Sequence, residues 1–372
     1  PISFDTRATS QTTTAQPHIN PLSSTPQEGS GLLRTHLITA AKLLFTVGIF
    51  ALLISQDFLS LASIETAISR WPWVVAGWGC MTCTTMIAVV RWHTLIRAQG
   101  VPIRFRKTLQ TALIGMFFNI FLPGSLSGDL VKGYYVVRAV PGHTSGVVSS
   151  ILFDRVVGMS GLIVLATLAL GLGMSTGGDW AAMLGTPIIV AVLAVASFVT
   201  AFYIALLAIR EAHDPILRVL RYFTSRFSFV GGPLRIYEGV RVYHDKRRVT
   251  LATIAVSVVA HGFLVGAWIC YVQAIALDGI PTAALFVVVP VGMLVAAIPI
   301  GPAGIGTGHA AFLAIFTLLG SDRGADLFNL VLVYQFLQAA VGGLVYLSVK
   351  THDPLSKEDL MREMVEAPAR NP

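Results

Sequence analysis

Apolar stretches of about twenty residues recur along this chain, each long enough to cross a ~30 Å hydrocarbon layer as an α-helix. They predict full spans at 37–55, 72–92, 145–173, 182–209, 250–276 and 327–349. Two further apolar segments, 107–140 and 283–320, are interrupted near their middles by proline and glycine. The first follows Gly100-Val101-Pro102, contains Gly115-Met116 and breaks at Leu122-Pro123-Gly124-Ser125-Leu126-Ser127-Gly128-Asp129. The second follows Gly279-Ile280-Pro281, contains Gly292-Met293 and breaks at Ile298-Pro299-Ile300-Gly301-Pro302-Ala303-Gly304-Ile305-Gly306-Thr307-Gly308-His309. The same device is written twice, and paired short, broken segments of this kind point to a binding site near the bilayer midplane.

Composition agrees with a membrane protein. The chain is 54% hydrophobic and 12% charged with a mean hydropathy of +0.72, far from the roughly 25% charged residues of a soluble domain. The net charge of +7 resides mainly in loops, where it sets orientation and meets anionic lipid; no nucleic-acid partner is expected. Cys80 and Cys83 form a CxxC inside an apolar run with no second ligand pair, and Cys270 also lies in a span, so neither a metal nor a cofactor is expected. Residues 1–36 read as a disordered tail rich in Ser, Thr, Gln and Pro, and 350–372 as a C-terminal tail. No cleavable signal peptide is expected, because the first apolar stretch starts near Leu37 and is long enough to stay in the bilayer.

Charge assigns the sides. Residues 91–107 carry Arg91, Arg97, Arg104, Arg106 and Lys107 without an acid, and 210–248 carry nine basic against four acidic residues. The short connections at 174–181 and 277–282 hold only Asp179 and Asp278. The positive-inside rule places the first two in the cytoplasm and the others outside, with both termini cytoplasmic. Segment 107–140 then enters and leaves on the cytoplasmic side, and 283–320 on the outer side. The expected fold class is all-α: a polytopic integral membrane protein with six full spans and two re-entrant helical hairpins in an inverted repeat. Repeat 1 occupies 37–173 with hairpin 107–140. Repeat 2 occupies 182–349, with an amphipathic cytoplasmic segment at 210–248, suggested by Arg218, Arg221, Phe223 and Arg226, and hairpin 283–320.

Exposed backbone groups cannot face lipid, so each break must be buried in protein or line a wet cavity. Half-helices starting near Ser127–Asp129 and Thr307–His309 would present N-terminal amides to that cavity, and such termini attract anions. The bland alternative is that the prolines and glycines only kink ordinary spans; it leaves the matched Gly-x-Pro starts and the charge asymmetry unexplained.

The order Asn119, Pro123-Gly124, Gly128-Asp129, Lys132-Gly133-Tyr134 and then Asp154-Arg155 resembles the lysylphosphatidylglycerol synthase transmembrane-region family, often called flippase-like. Arg91-Trp92, Gly100 and the glycine-rich turn ending in Gly304, Gly306 and His309 fit the same resemblance, which covers roughly 37–349. Lys132 stands where the family usually has Arg and offers a point charge instead of a bidentate fork. His309 stands where relatives often have Glu or Gln. No soluble aminoacyl-transferase domain is expected after the membrane region, so the resemblance implies the translocating half alone, in a bacterial cytoplasmic membrane.

Asp129, Lys132, Asp154 and Arg155 fall at or near bilayer depth, where a charge costs about 2.5–3.5 kcal/mol on insertion scales and therefore needs a partner or water. Asp129 and Lys132, at i and i+3, share a helix face; Asp154 and Arg155 are neighbours that point apart. In one reading Lys132 and Arg155 hold a lipid phosphate while the carboxylates tune them. In the other, the four lock the hairpin to the next span. His309 is a headgroup contact, a proton carrier or a cap; Asn119 bonds broken backbone or substrate. His261, Gln335 and Gln338 read as glue between helices.

The leading function is a lipid translocator moving a phosphate-containing headgroup, on an anionic phospholipid or a polyprenyl-phosphate lipid, through a central polar cavity. An enzyme acting on a lipid-linked substrate, with Asp129 and His309 as acid and base, is the alternative; so is a non-transporting partner of a lipid-synthesising enzyme. No nucleotide-binding loop is present in the sequence, so any drive would come from gradients.

Overall fold

In the computed structural model the chain is α-helical, with no strand among the described residues, which are 61–121, 127–178, 180, 183–209, 214–224, 231–298 and 304–350. All of them belong to one compact unit, Gln56–Pro372. The expected span at 37–55, the tails at 1–36 and 351–372 and the breaks at 122–126 and 299–303 lie outside the described residues.

The helices, in chain order, are α1 (Leu61–Ser69), α2 (Trp71–Ala98), α3 (Phe105–Phe121), α4 (Ser127–Ala139), α5 (Thr144–Ser175), α6 (Gly185–Ala208), α7 (Pro215–Thr224), α8 (Gly231–Asp245), α9 (Arg247–Ala274), α10 (Thr282–Ala296), α11 (Thr307–Leu318) and α12 (Gly324–Lys350). Five of them, α2, α5, α6, α9 and α12, are long and apolar enough to cross a membrane, and they match five of the six expected spans. By contrast α3, α4, α10 and α11 have 17, 13, 15 and 12 residues, short of the ~20 that a crossing helix needs. They are the arms of the two broken segments, and α4 and α11 begin at Ser127 and Thr307, where the glycine-rich breaks predict half-helices to start.

The duplicated device is visible in backbone geometry. After α2, Gly100 turns the chain at φ 81°; after α9, Gly279 does so at φ 83°. Only glycine adopts that region without strain, and in each case a proline follows two residues later and the next arm begins. Gly115 lies where α3 meets α4: a side chain at Gly128 would overlap the Gly115 carbonyl. Gly292 of α10 sits in the same way against Phe312 of α11. The packing partners correspond as well. At the centre α2 lies against α9, α3 packs on α12, and α10, the counterpart of α3, packs on α5, the counterpart of α12.

Lipid tails are as apolar as these side chains, so close van der Waals fit and interhelical hydrogen bonds carry the association. Along the α2–α9 seam Gly77 admits Tyr271, Thr84 donates to the Ala260 carbonyl at 3.0 Å and Arg91 donates to Ser257 at 2.8 Å. Around the second hairpin the core is aromatic: Trp268 stacks on Phe312 with centroids 4.0 Å apart, and Phe312 on Phe328. Around the first, Trp92, Ile96, Val136, Val147 and Ile151 form a smaller apolar cluster beneath a group of charges.

The connection between the two halves forms a strap. Leu217 of α7 is buried while Ile216, Val219 and Phe223 are exposed, beside Arg218 and Arg221. α7 lies within the segment read as amphipathic, and it presents an exposed apolar stripe flanked by basic residues, the composition of a helix suited to a membrane surface. Asp214 caps α7, accepting the amides of Ile216 and Leu217 at 3.0 and 3.1 Å. The same carboxylate accepts the Tyr237 hydroxyl at 2.8 Å and pairs with Arg241 at 3.4 Å. Arg241 in turn donates to the Leu206 and Ile209 carbonyls at the end of α6. Gln99, Ser145 and Ser149 donate to backbone carbonyls of α8, at Gly239, Arg235 and Ile236. Tyr243 of α8 reaches the Leu95 carbonyl of α2 at 3.0 Å and stacks on Phe153 of α5.

Candidate functional site

Helix α2 starts with Pro72 in its first turn, a position where the missing amide hydrogen is no loss. It continues to Ala98, six residues beyond the expected span. Arg91 is therefore not a loop cation. It sits inside the helix, about 10 Å from its end at 1.5 Å per residue, and is only 7% exposed. Its Nε donates to Asp154 Oδ1 of α5 at 2.8 Å, its Nη1 to Ser257 Oγ of α9 at 2.8 Å, and Gly158 leaves room for the guanidinium. One buried cation thus binds three spans together.

Next to it lies a second cluster. Asp129, in the first turn of α4, is paired through Oδ1 with Lys132 Nζ at 2.9 Å and through Oδ2 with Arg155 Nε of α5. The i,i+3 pairing of Asp129 with Lys132 is the one the sequence spacing predicts, and an acid in the first turn also complements the helix dipole. Asp154 and Arg155 diverge as expected, one toward Arg91 and the other toward Asp129. The Lys132 ammonium also rests 4.2 Å from the centroid of the Trp92 ring, a cation–π contact that holds it without a second acid.

These groups wall a cavity of about 150 Å³ lined by Asn119, Gly128, Asp129, Lys132, Asp154 and Arg155, with Trp92, Gly115 and Met116 among its apolar walls. Six of the residues proposed from sequence as substrate-binding therefore meet in one place. Gly124 lies outside the described residues. Asn119 Oδ1 is buried and has no hydrogen-bond partner among the described residues, so the expected bond to broken backbone is not made within them. The five charged groups Arg91, Lys132, Arg155, Asp129 and Asp154 comprise three cations and two carboxylates, leaving one excess positive charge in the cluster.

The second hairpin is different. Gly304 and Gly306 take φ 75° and 86° and set up α11, but neither they nor His309 lines that cavity. His309 is fully buried. Its Nδ1 accepts the Gly306 amide at 3.3 Å, so Nε2 carries the proton and donates to Asn329 Oδ1 at 2.9 Å. This is the arrangement of a helix cap. Asp129 and His309 are each engaged with different partners. His261 meets the Gly158 carbonyl and Gln338 meets Thr85, the interhelical bonds expected of them.

Arg91 and Ser257 escaped the sequence reading. A signal for Arg91 exists: Asp154 is a membrane carboxylate whose neighbour points away, so its counter-charge must come from another span.

Fold and site together define a polytopic, all-helical membrane protein with an ion-pair cluster buried beneath a pair of short helices. The chain belongs to the family described as the lysylphosphatidylglycerol synthase TM region, matched over residues 39–345, which gives it a lipid context. It is also similar to a UPF0104 membrane protein of Pyrococcus horikoshii, 28% identical over 88 residues, covering 23% of this chain and 26% of the relative. The chain thus spans about a quarter of the length of that curated relative. No solved structure matches it.

Proposed function

We propose that the protein translocates a phosphate-bearing lipid headgroup between leaflets, and that the cavity at Asp129, Lys132 and Arg155 is where the phosphate is held. The observation that carries this reading is the shared carboxylate: Asp129 bridges Lys132 and Arg155 at the wall of the cavity, while the other lining acid, Asp154, is already neutralised by Arg91 from outside it. A phosphate oxygen pair can take the place of the Asp129 carboxylate, so both cations stay paired while the headgroup enters and leaves. Exchange of this kind keeps the two cations paired at bilayer depth, and the displaced Asp129 carboxylate is left to meet water in the cavity or a cationic group of the headgroup. Arg155, with 29% of its side chain exposed, is the most accessible of the three and meets the headgroup first. Asn119 Oδ1 offers an acceptor to a hydroxyl or ammonium on the same headgroup.

The correspondence of α2–α5 with α9–α12 supports an inverted repeat in which α3–α4 and α10–α11 are re-entrant hairpins of opposite orientation. Rocking of one repeat against the other around a fixed site would then alternate access. The lipid is an anionic phospholipid or a polyprenyl phosphate; both present the phosphate the cluster fits.

The test is reconstitution into vesicles with fluorescent phosphatidylglycerol and a labelled polyprenyl phosphate, reading the fraction that reaches the outer leaflet. Wild type should move one of them and Arg155→Ala should slow it at least tenfold. If wild type moves neither, the reading is wrong, and if the headgroup emerges chemically altered the protein is an enzyme.

A further inference from the structure

A second hollow lies away from the charge cluster. Between α6 and α9, floored by Val164 of α5, runs an open groove of about 730 Å³. Tyr203, Ile204 and Leu207 form one wall, and Leu251 and Ile254 the other. The α6 wall extends from Val199 to Ala208, about 14 Å of helix. The Tyr203 hydroxyl is already bonded to Ser160 at 3.1 Å, so only its apolar body is left to the groove. At the end formed by Leu207 and Ala208 stands Arg247, the first residue of α9. It is exposed, and among the described residues it has no hydrogen-bond or ion-pair partner. No side chain caps the N-terminus of α9 at that point.

An apolar trough with a cation and bare helix amides at one end has the polarity of one phospholipid, tail along the trough and phosphate at its mouth. We infer that this groove binds an anionic phospholipid from the leaflet on the α7–α8 side, with its phosphate on Arg247 and an acyl chain between α6 and α9. None of its lining residues belongs to the charged cavity, so the inference stands whether or not the protein translocates lipid. It also accounts for α6: that helix leans on α5 and α8 and leaves its α9 side open, which a bound chain would fill.

Native mass spectrometry of the full chain in mild detergent, titrated with phosphatidylglycerol or phosphatidylcholine, tests this. Arg155→Ala is placed in the background of every sample to silence the charged cavity. Phosphatidylglycerol should be retained over phosphatidylcholine by about fivefold, as expected for one interfacial cation at ~1 kcal/mol. Arg247→Gln should abolish that preference without changing the melting temperature. Leu251→Trp, or Thr200→Trp on the opposite wall, should remove the bound lipid itself; both positions are exposed, so the fold tolerates them. Equal retention of the two lipids by the parent, a preference that survives Arg247→Gln, or undiminished lipid in both tryptophan variants would each overturn the inference.

Discussion

Arg91 on α2 and Asp154 on α5 meet at 2.8 Å, so a cation from the span before the first hairpin neutralises an acid on the span after it. This pair frames the hairpin and frees Arg155, one residue on and about 100° around the helix, to face Asp129. In the proposed function Asp154 is a positioning group, and the contact with substrate falls to its neighbour.

Removing one member of that pair leaves a buried charge alone, which costs about 3–5 kcal/mol. Arg91→Ala and Asp154→Asn are each expected to lower the melting temperature in detergent by several degrees. The double variant Arg91→Met/Asp154→Leu should recover most of the loss, since an apolar pair replaces the ionic one. Thermal unfolding of the three proteins checks this.

Asp129→Asn separates holding from releasing. With the bridging carboxylate neutral, Lys132 and Arg155 keep their charge and lose their shared anion. Anionic lipid should then bind more tightly, by about tenfold, yet cross between leaflets more slowly because nothing displaces it. Lipid retention and vesicle translocation, measured on the same preparation, should move in opposite directions.

Gly128→Ala is expected to disable the cavity. Its new methyl would meet backbone, the Gly115 carbonyl, and backbone cannot swing aside as a flexible side chain can. Gly262→Ala is the control: nothing lies within 4 Å of the methyl it would add, and the better helix propensity of alanine makes the change neutral or slightly stabilising. Melting temperature and lipid retention should fall for the first and hold for the second.

The strap carries a signature in alkaline solution. Burial, then the hydrogen bond to Asp214 and its charge, push the Tyr237 phenol up to about 12, above its ordinary value near 10. Because the folded state holds the proton more tightly, the stabilisation is complete below about pH 10 and is lost as pH rises from there toward 12. Tyr237→Phe should flatten that part of the stability–pH curve, measured by melting between pH 8 and 11.5. Tyr243, also raised by burial, remains in both proteins and sets the background.

How much of this was legible beforehand depends on where the partners lie. The spans follow from stretches of apolar residues, and the arms from glycine and proline, because both are local signals. Asp129 with Lys132 was readable for the same reason, being one turn apart. Arg91 was not: it follows an apolar run directly, so it counts as the first of a set of loop cations until the helix is seen to continue, and its partner is 63 residues away. His309 was read with the site because it opens a half-helix, yet its ring bonds to Asn329, whose distance along the chain hides the pairing. The amphipathic α7 was visible in the spacing of Arg218, Arg221 and Phe223. The anchoring of α8 was invisible, since Gln99, Ser145 and Ser149 grip its backbone carbonyls, and carbonyls have no sequence.

That grip ties several spans into one frame. The bonds described for α8 run to α2, α5 and α6, and Lys246, immediately before α9, donates to the Ala98 carbonyl at the end of α2. Four spans are thereby lashed at one end of the bundle like staves under a hoop. A hooped end cannot splay, so any opening must be made at the opposite end or by the short helices sliding within the staves. Cutting one of these lashings should slacken that rim without touching a residue of the charged cavity.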